Sequence, residues 1–509
     1  MKDLNLKVRF DVVLWGLVLL LAIGLRLVAL GSLPLTDQEA VHALASAGST
    51  PYASPFRVLG DSVVPHAAAY HTLTALLFSI FGASNILARL VPALFGIALV
   101  ALPLFAQEEL GRSRALLMAL LLAVMPSLVT LSRTAGGASL GLFGAGAIAL
   151  SYLKRTEAAD GRVDVWLVTG LAVVLTSGTA WLHLLFVLGA GYLLLRLWEW
   201  MRDRPSDLSL KLGLNRRALG ASLIMAGLLA AGFGLFPSGL VGLSSSIGDW
   251  LTGWGAANEP GYLPAWTWLL SIPIYETLIV GAGILGLIIL VRQNHKQSGM
   301  SFWLSLGALI YFLIYPGRSV FSIALVLLPW VFFASTFLDY LLNDVASERQ
   351  PVAFYVMAGL LIILCVHSYF FVADLAQGPS FLSRLASLLN NSLGLEVSVA
   401  ALQLSWIIVV MFVSVAVVVV VGQGWGWKVA LHSAAAVWVL IISLTTVASI
   451  WRLNFSDSAA SAQELWKSRS TTPIVYLMRE TLEQMSLNNT GTEHGMAIQP
   501  MTGLPAALA

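Results

Sequence analysis

Long apolar runs, each closed by a short polar or charged stretch, repeat along nearly the whole chain. A helix needs roughly 20 apolar residues to cross about 30 Å of hydrocarbon. Windows of this kind fall near 11–31, 86–106, 115–132, 136–153, 164–180, 181–200, 218–236, 265–291, 301–315, 319–342, 352–372, 404–422 and 428–450. A further apolar segment near 63–82 is interrupted by Pro65, His66 and His71 and reads as interfacial. The pattern predicts an all-α polytopic membrane protein, a bundle of about 13 transmembrane helices with a long first loop carrying interfacial helices. Residues 1–455 form the membrane domain on this reading, and 456–509 a polar tail that is disordered in part. Within the tail, 459–486 has the pattern of a short amphipathic helix.

Composition supports lipid as the solvent. The 509 residues are 58% hydrophobic and 11% charged, where a soluble domain carries about a quarter charged residues. No dense basic stripe suits a nucleic-acid backbone. The one cysteine, Cys365, excludes an intramolecular disulfide. With 63–82 in the interface, Arg112, Arg114, Lys154, Arg155, Arg162, the basic residues from Arg202 to Arg217, Arg292 and Lys296 share the cytoplasmic side with the N-terminus. Arg57, Arg133, Arg318 and Arg384 are left as scattered outer arginines, and the tail falls outside. The expected location is the plasma or inner membrane. The outer segments are then 32–85, the turn from Ser132 to Gly137, 237–264, and 373–403 with Pro379 and Asn390–Asn391.

Candidate chemistry gathers at these outer ends. The first loop opens Thr36–Asp37–Gln38–Glu39, with His42 three residues on. A carboxylate there serves as general base toward an acceptor hydroxyl; the alternative is a helix start, with Thr36 or Asp37 as N-cap of a helix running to Ala47. Arg89, Arg133 and Arg318 are candidates for a phosphate group, which guanidinium grips bidentately, against snorkelling to lipid phosphate. Trp254 and Tyr262 in the third outer segment are candidate substrate-lining residues, against an aromatic belt. Glu276, an acid inside a span, joins them as a functional candidate, with a structural partner such as an arginine as the alternative. His183, His367 and His432 read as core residues, and no phosphate-binding glycine loop or Cys/His cluster is present.

The order of pieces resembles a known superfamily. A first span and an acidic pair in a long loop are followed by Phe81–Gly82–Ala83–Ser84, Arg89–Leu90–Val91–Pro92, Glu109–Leu110–Gly111–Arg112, a helix ending in Pro126, and Ser132–Arg133. Over about residues 10–340 this resembles the GT-C membrane glycosyltransferases, nearest to the type that includes protein mannosyltransferases and the lipid A aminoarabinose transferase. Arg133–Thr134–Ala135–Gly136–Gly137 is also similar to the oligosaccharyltransferases near their second acidic motif. The resemblance implies transfer of a sugar from a polyprenyl-phosphate donor on the outer side of the membrane, with membrane lipid as a partner. It places Asp37 at the first-loop catalytic aspartate, Glu39 as its companion and Arg318 at the donor phosphate. The family's second-loop acid is missing, since Thr134 to Leu153 contains no Asp or Glu. No cofactor is therefore expected, and a divalent metal shared by both loops lacks support. The alternative is a catalytically silent protein of the same fold, binding lipid-linked sugar or joining partner subunits in a membrane complex. A secondary transporter fits less well, because the polar residues avoid the bilayer midplane.

Overall fold

The computed structural model describes residues 10–48, 66–154, 164–202, 216–258, 262–292, 296–346, 351–373, 399–456, 466 and 474–491. Arg57, Arg384 and most of 373–403, including Asn390–Asn391, lie outside the described residues. Among those described the regular structure is helical, with no strand. The helices are α1 (Phe10–Leu27), α2 (Asp37–Ala47), α3 (Ala68–Phe81), α4 (Asn85–Ala101), α5 (Gln107–Leu110), α6 (Arg112–Val124), α7 (Pro126–Ser132), α8 (Ala138–Lys154), α9 (Val165–Thr176) and α10 (Ala180–Arg202). They continue as α11 (Arg216–Ala230), α12 (Val241–Trp254), α13 (Ala265–Tyr275), α14 (Thr277–Arg292), α15 (Lys296–Ile314), α16 (Val320–Ala346), α17 (Pro351–Ala373), α18 (Val399–Trp425), α19 (Trp427–Asn454) and α20 (Ile474–Thr490). The chain divides into two compact units, Met1–Phe337 with Thr446–Ala509, and Leu338–Thr445. The candidate site described below lies in the first.

This is a multi-pass membrane protein. Among the described residues five helices are long and apolar enough to cross a bilayer, or seven if each of two bent pairs is one span. The count of about 13 is not reached by length alone, because several apolar helices are short. With 12 residues, α9 rises only about 18 Å, well under the hydrocarbon thickness.

Two of the expected spans are broken. The window 115–132 is α6 and α7, bent by 61°. Pro126 has no N–H to give the preceding turn, and the freed carbonyls still need donors in an apolar surround. Arg26 of α1, fully buried, donates to Leu122 O at 3.0 Å and Ala123 O at 3.2 Å. The window 265–291, expected as one helix, is α13 and α14 bent by 86°. Pro273 disrupts the ladder there, and Glu276 sits at the break. The outer segment 237–264 also differs from a plain loop, because it contains α12. A core of small and aromatic side chains (Ala67, Ala69, Tyr70, Ala88, Val91, Ala135) joins α3 and α4 to the turn before α8. Its alanines allow the close backbone approach on which helix packing in lipid depends.

Candidate functional site

Thr36 is the N-cap of α2, and its hydroxyl accepts from Glu39 N while the Glu39 carboxylate accepts from Thr36 N at 2.9 Å. This reciprocal capping box fixes the helix start. Glu39 reaches further, since Oε1 also accepts from Ala135 N at 2.9 Å and from Arg89 Nε at 2.8 Å, and Oε2 from Arg89 Nη2 at 2.8 Å. The other Arg89 donors hold the carbonyls of Leu30, Leu33 and Pro34. Both side chains are buried, 3% and 7% exposed. Burial raises the Glu39 carboxyl, but the Arg89 charge and these hydrogen bonds outweigh it and hold the group below its ordinary value. Arg89 and Glu39 thus tie the first long loop to the turn after α7.

Arg133 does similar work at the end of α1. Its guanidinium donates to the carbonyls of Leu25, Arg26, Val28 and Ala29, the last at 2.9 Å, and its carbon lies 4.3 Å from the centre of the Phe455 ring. These are carbonyls that a helix terminus leaves without partners. The glycines after Arg133 have a packing reason. A Cβ on Gly137 would collide with Ser177 O and stand 2.8 Å from the Ala67 Cβ; on Gly178, where φ is +80°, it would stand 3.0 Å from His66 O. Only glycines let these turns close on residues 66–67.

The first loop, the turn after α7, α12 and the turn between α15 and α16 enclose a cavity of about 790 Å³. Seven of the sequence-derived candidates line it: Asp37, Glu39, His42, Arg89, Arg133, Tyr262 and Arg318. Asp37 is exposed and has no hydrogen bond or ion pair to any described residue. Arg318 donates through Nε to Phe312 O, through Nη2 to Leu313 O and through Nη1 to Tyr262 Oη at 2.8 Å. A guanidinium has five N–H groups, so two remain without a partner among the described residues. Trp254 is not on the wall but packs edge-on behind Tyr315, which is. Glu276 is elsewhere: fully buried, it accepts from Ser127 N at 2.7 Å and so caps the start of α7.

Three wall residues had no role in the sequence reading. Trp466, from the polar tail, is buried, packs on Tyr275 with the rings tilted by 34° and their centres 4.3 Å apart, and donates to Ser271 Oγ; a lone tryptophan in a polar stretch was its one signal. His66 and Asp249 meet with Nδ1 and Oδ2 2.7 Å apart, a pairing across 183 positions that no local pattern reveals. The bond to Asp249 raises the His66 pKa above 6.5, against a smaller opposing effect of burial. His42, edge-on to His66 with ring centres 5.7 Å apart, is instead pushed down to about 4 by burial and then by His66. Among the described residues no group of three or more His, Cys, Asp or Glu side chains is placed to hold a metal ion. With both Glu39 oxygens taken by N–H groups and Asp249 engaged by His66, Asp37 is left as a single carboxylate among the described cavity residues, too few donors for a divalent cation there.

The chain shares its fold with a membrane-protein enzyme of known structure, ArnT. Two solved structures show the likeness. ArnT from Cupriavidus metallidurans bound to undecaprenyl phosphate matches with a TM-score of 0.54 at 15% identity, over 98% of this chain and 83% of that one. Its apo form gives 0.53 at 14%, with the same coverage. The oligosaccharyltransferase AglB from Archaeoglobus fulgidus, in complex with an inhibitory peptide and a dolichol-phosphate, gives 0.47 at 12%, over 98% of this chain and 61% of that one. No protein-family model matches the sequence, and neither does any curated protein.

Proposed function

We propose that the protein is a membrane glycosyltransferase that moves a sugar from a polyprenyl-phosphate donor to an acceptor on the outer side of the membrane. The observation that carries this is one cavity holding a carboxylate, Asp37, with no partner among the described residues, together with an arginine, Arg318, two of whose N–H groups have none among them either. The fold shared with ArnT, which was solved with undecaprenyl phosphate, supports it. Transfer breaks the bond between the anomeric carbon and a phosphate oxygen. Negative charge grows on the departing phosphate and positive charge on the sugar ring, so preorganised charges of opposite sign lower the barrier. Arg318 faces the phosphate; Asp37 accepts a hydrogen bond from the acceptor and stabilises the sugar. Arg89, Arg133 and Glu39 hold the wall in shape. The distribution of Lys and Arg between loops supports an outer cavity and a cytoplasmic N-terminus.

A second reading keeps the fold and drops the chemistry. It is favoured by the absence of any acid from Thr134 to Leu153, which leaves Asp37 as the one unpartnered carboxylate among the described cavity residues. Purified protein in lipid nanodiscs with undecaprenyl phosphate carrying a radiolabelled hexose separates the two. Release of the hexose to water or an acceptor supports the transferase. Lipid binding without release across a panel of sugars selects the silent protein.

A further inference from the structure

The cavity contains a carboxylate–histidine pair as well as Asp37. His66 stands at the start of α3 and Asp249 on α12, and His66 Nδ1 lies 2.7 Å from Asp249 Oδ2. An ionised carboxylate only accepts, so Nδ1 carries the hydrogen and, in the neutral ring, Nε2 carries the lone pair. The pair borders the cavity with side chains 32% and 34% exposed. Its setting is tightly fixed. Gly178 and Gly137 pack against the backbone and Cβ of residues 66–67 with no room for side chains of their own. His42 of α2 stands edge-on to His66 and, in turn, to Tyr70 of α3 at 5.8 Å. The Asp249 charge also reaches Tyr315, whose hydroxyl donates to Trp250 O of the same helix at 3.1 Å.

We infer that His66, oriented by Asp249, is the proton acceptor of the transfer. The inference rests on the transferase reading. The acceptor's O–H or N–H proton passes to His66 Nε2 as the acceptor atom bonds to the anomeric carbon. The bond from that carbon to the phosphate oxygen breaks, and its electron pair leaves with polyprenyl phosphate. Asp249 keeps Nδ1–H in place and stabilises the imidazolium that forms, while Asp37 remains with the sugar and the acceptor. His42 takes no proton near neutrality, because burial holds it at about 4; the titration therefore belongs to His66, whose bond to Asp249 moves it above 6.5.

The test is the pH profile of hexose release from undecaprenyl-phosphate hexose by full-length protein in nanodiscs, with undecaprenyl-phosphate affinity measured alongside as a check on folding. Wild type should lose rate as pH falls through a value above 6.5, because the protonated ring has no lone pair to offer. H66Q should lower the plateau by about 100-fold or more and abolish the acid limb, with lipid affinity unchanged. D249N should move the limb to lower pH, since the bond that raises His66 is lost. H66Q within about threefold of wild type and with the limb intact overturns the proposal, as does loss of rate in D249N without movement of the limb. A wild type that releases no hexose from any donor overturns the transferase reading itself, and the proposal with it.

Discussion

Glu39→Gln is nearly isosteric, yet it should cost this protein several kcal/mol. Each Glu39 oxygen accepts two hydrogen bonds, one from Arg89 and one from a backbone N–H: Oε1 with Nε and Ala135, Oε2 with Nη2 and Thr36. Whichever oxygen becomes the amide nitrogen then points a donor at two donors. One charge-assisted and one neutral bond are lost, about 1.5–3 and 0.5–1.5 kcal/mol. Arg89 is also left buried without a counter-charge, and breaking a buried pair from one side costs about 3–5 kcal/mol. The two estimates cover the same event, so about 3–5 kcal/mol is the expectation. Reversible unfolding by sodium dodecyl sulfate in mixed micelles, wild type against variant, reads it directly. The effect carries a pH signature. The folded pKa of Glu39 is depressed below 4.5, so its contribution is present above that value and is lost as pH falls through the folded one. The gap between wild type and variant should therefore be constant near neutrality and close only in acid. A difference under about 1 kcal/mol at neutral pH, the size of a surface ion pair, would refute the view that this pair clamps the loop.

Gly137→Ala should destabilise by about 1–3 kcal/mol or more, because the new methyl meets Ser177 O and the Ala67 Cβ; the same unfolding assay checks it. Arg318→Gln should weaken undecaprenyl phosphate binding about tenfold or more, the loss of a charged hydrogen bond or two, and leave undecaprenol binding unchanged. Equal loss for both lipids would mean that Arg318 matters only for tying down Phe312 O and Leu313 O.

The membrane class and the helical order were legible because they are written in runs of adjacent residues, and lipid enforces that pattern strictly. The helix from Asp37 to Ala47 was legible for the same reason, since a cap and its helix are neighbours in the chain. Pro126 gave notice of one broken span. The break at Glu276 gave less, because its partner, Ser127 N, belongs to another helix. Sequence alone grouped Arg89, Arg133 and Arg318 as candidates for a phosphate, and only the resemblance set Arg318 apart. What separates them is how many N–H groups the fold already occupies. Arg89 fills all five with Glu39 and three carbonyls, Arg133 holds the end of α1, and Arg318 keeps two without a partner among the described residues. The His66–Asp249 pair was invisible for a related reason: chemistry assembled from α12 and the start of α3 has no spacing to read.

Asp37 is where the account is most exposed to test. Hexose release from radiolabelled undecaprenyl-phosphate hexose should be compared between wild type and Asp37→Asn, in nanodiscs and with unfolding measured on the same samples. Because Asp37 bonds to no described residue, the variant should keep its stability and its lipid affinity. It should lose release by about 100-fold or more, the usual effect of removing one preorganised charge from a transition state. Release at the wild-type rate from the folded variant would contradict the assignment of this cavity as the place of transfer.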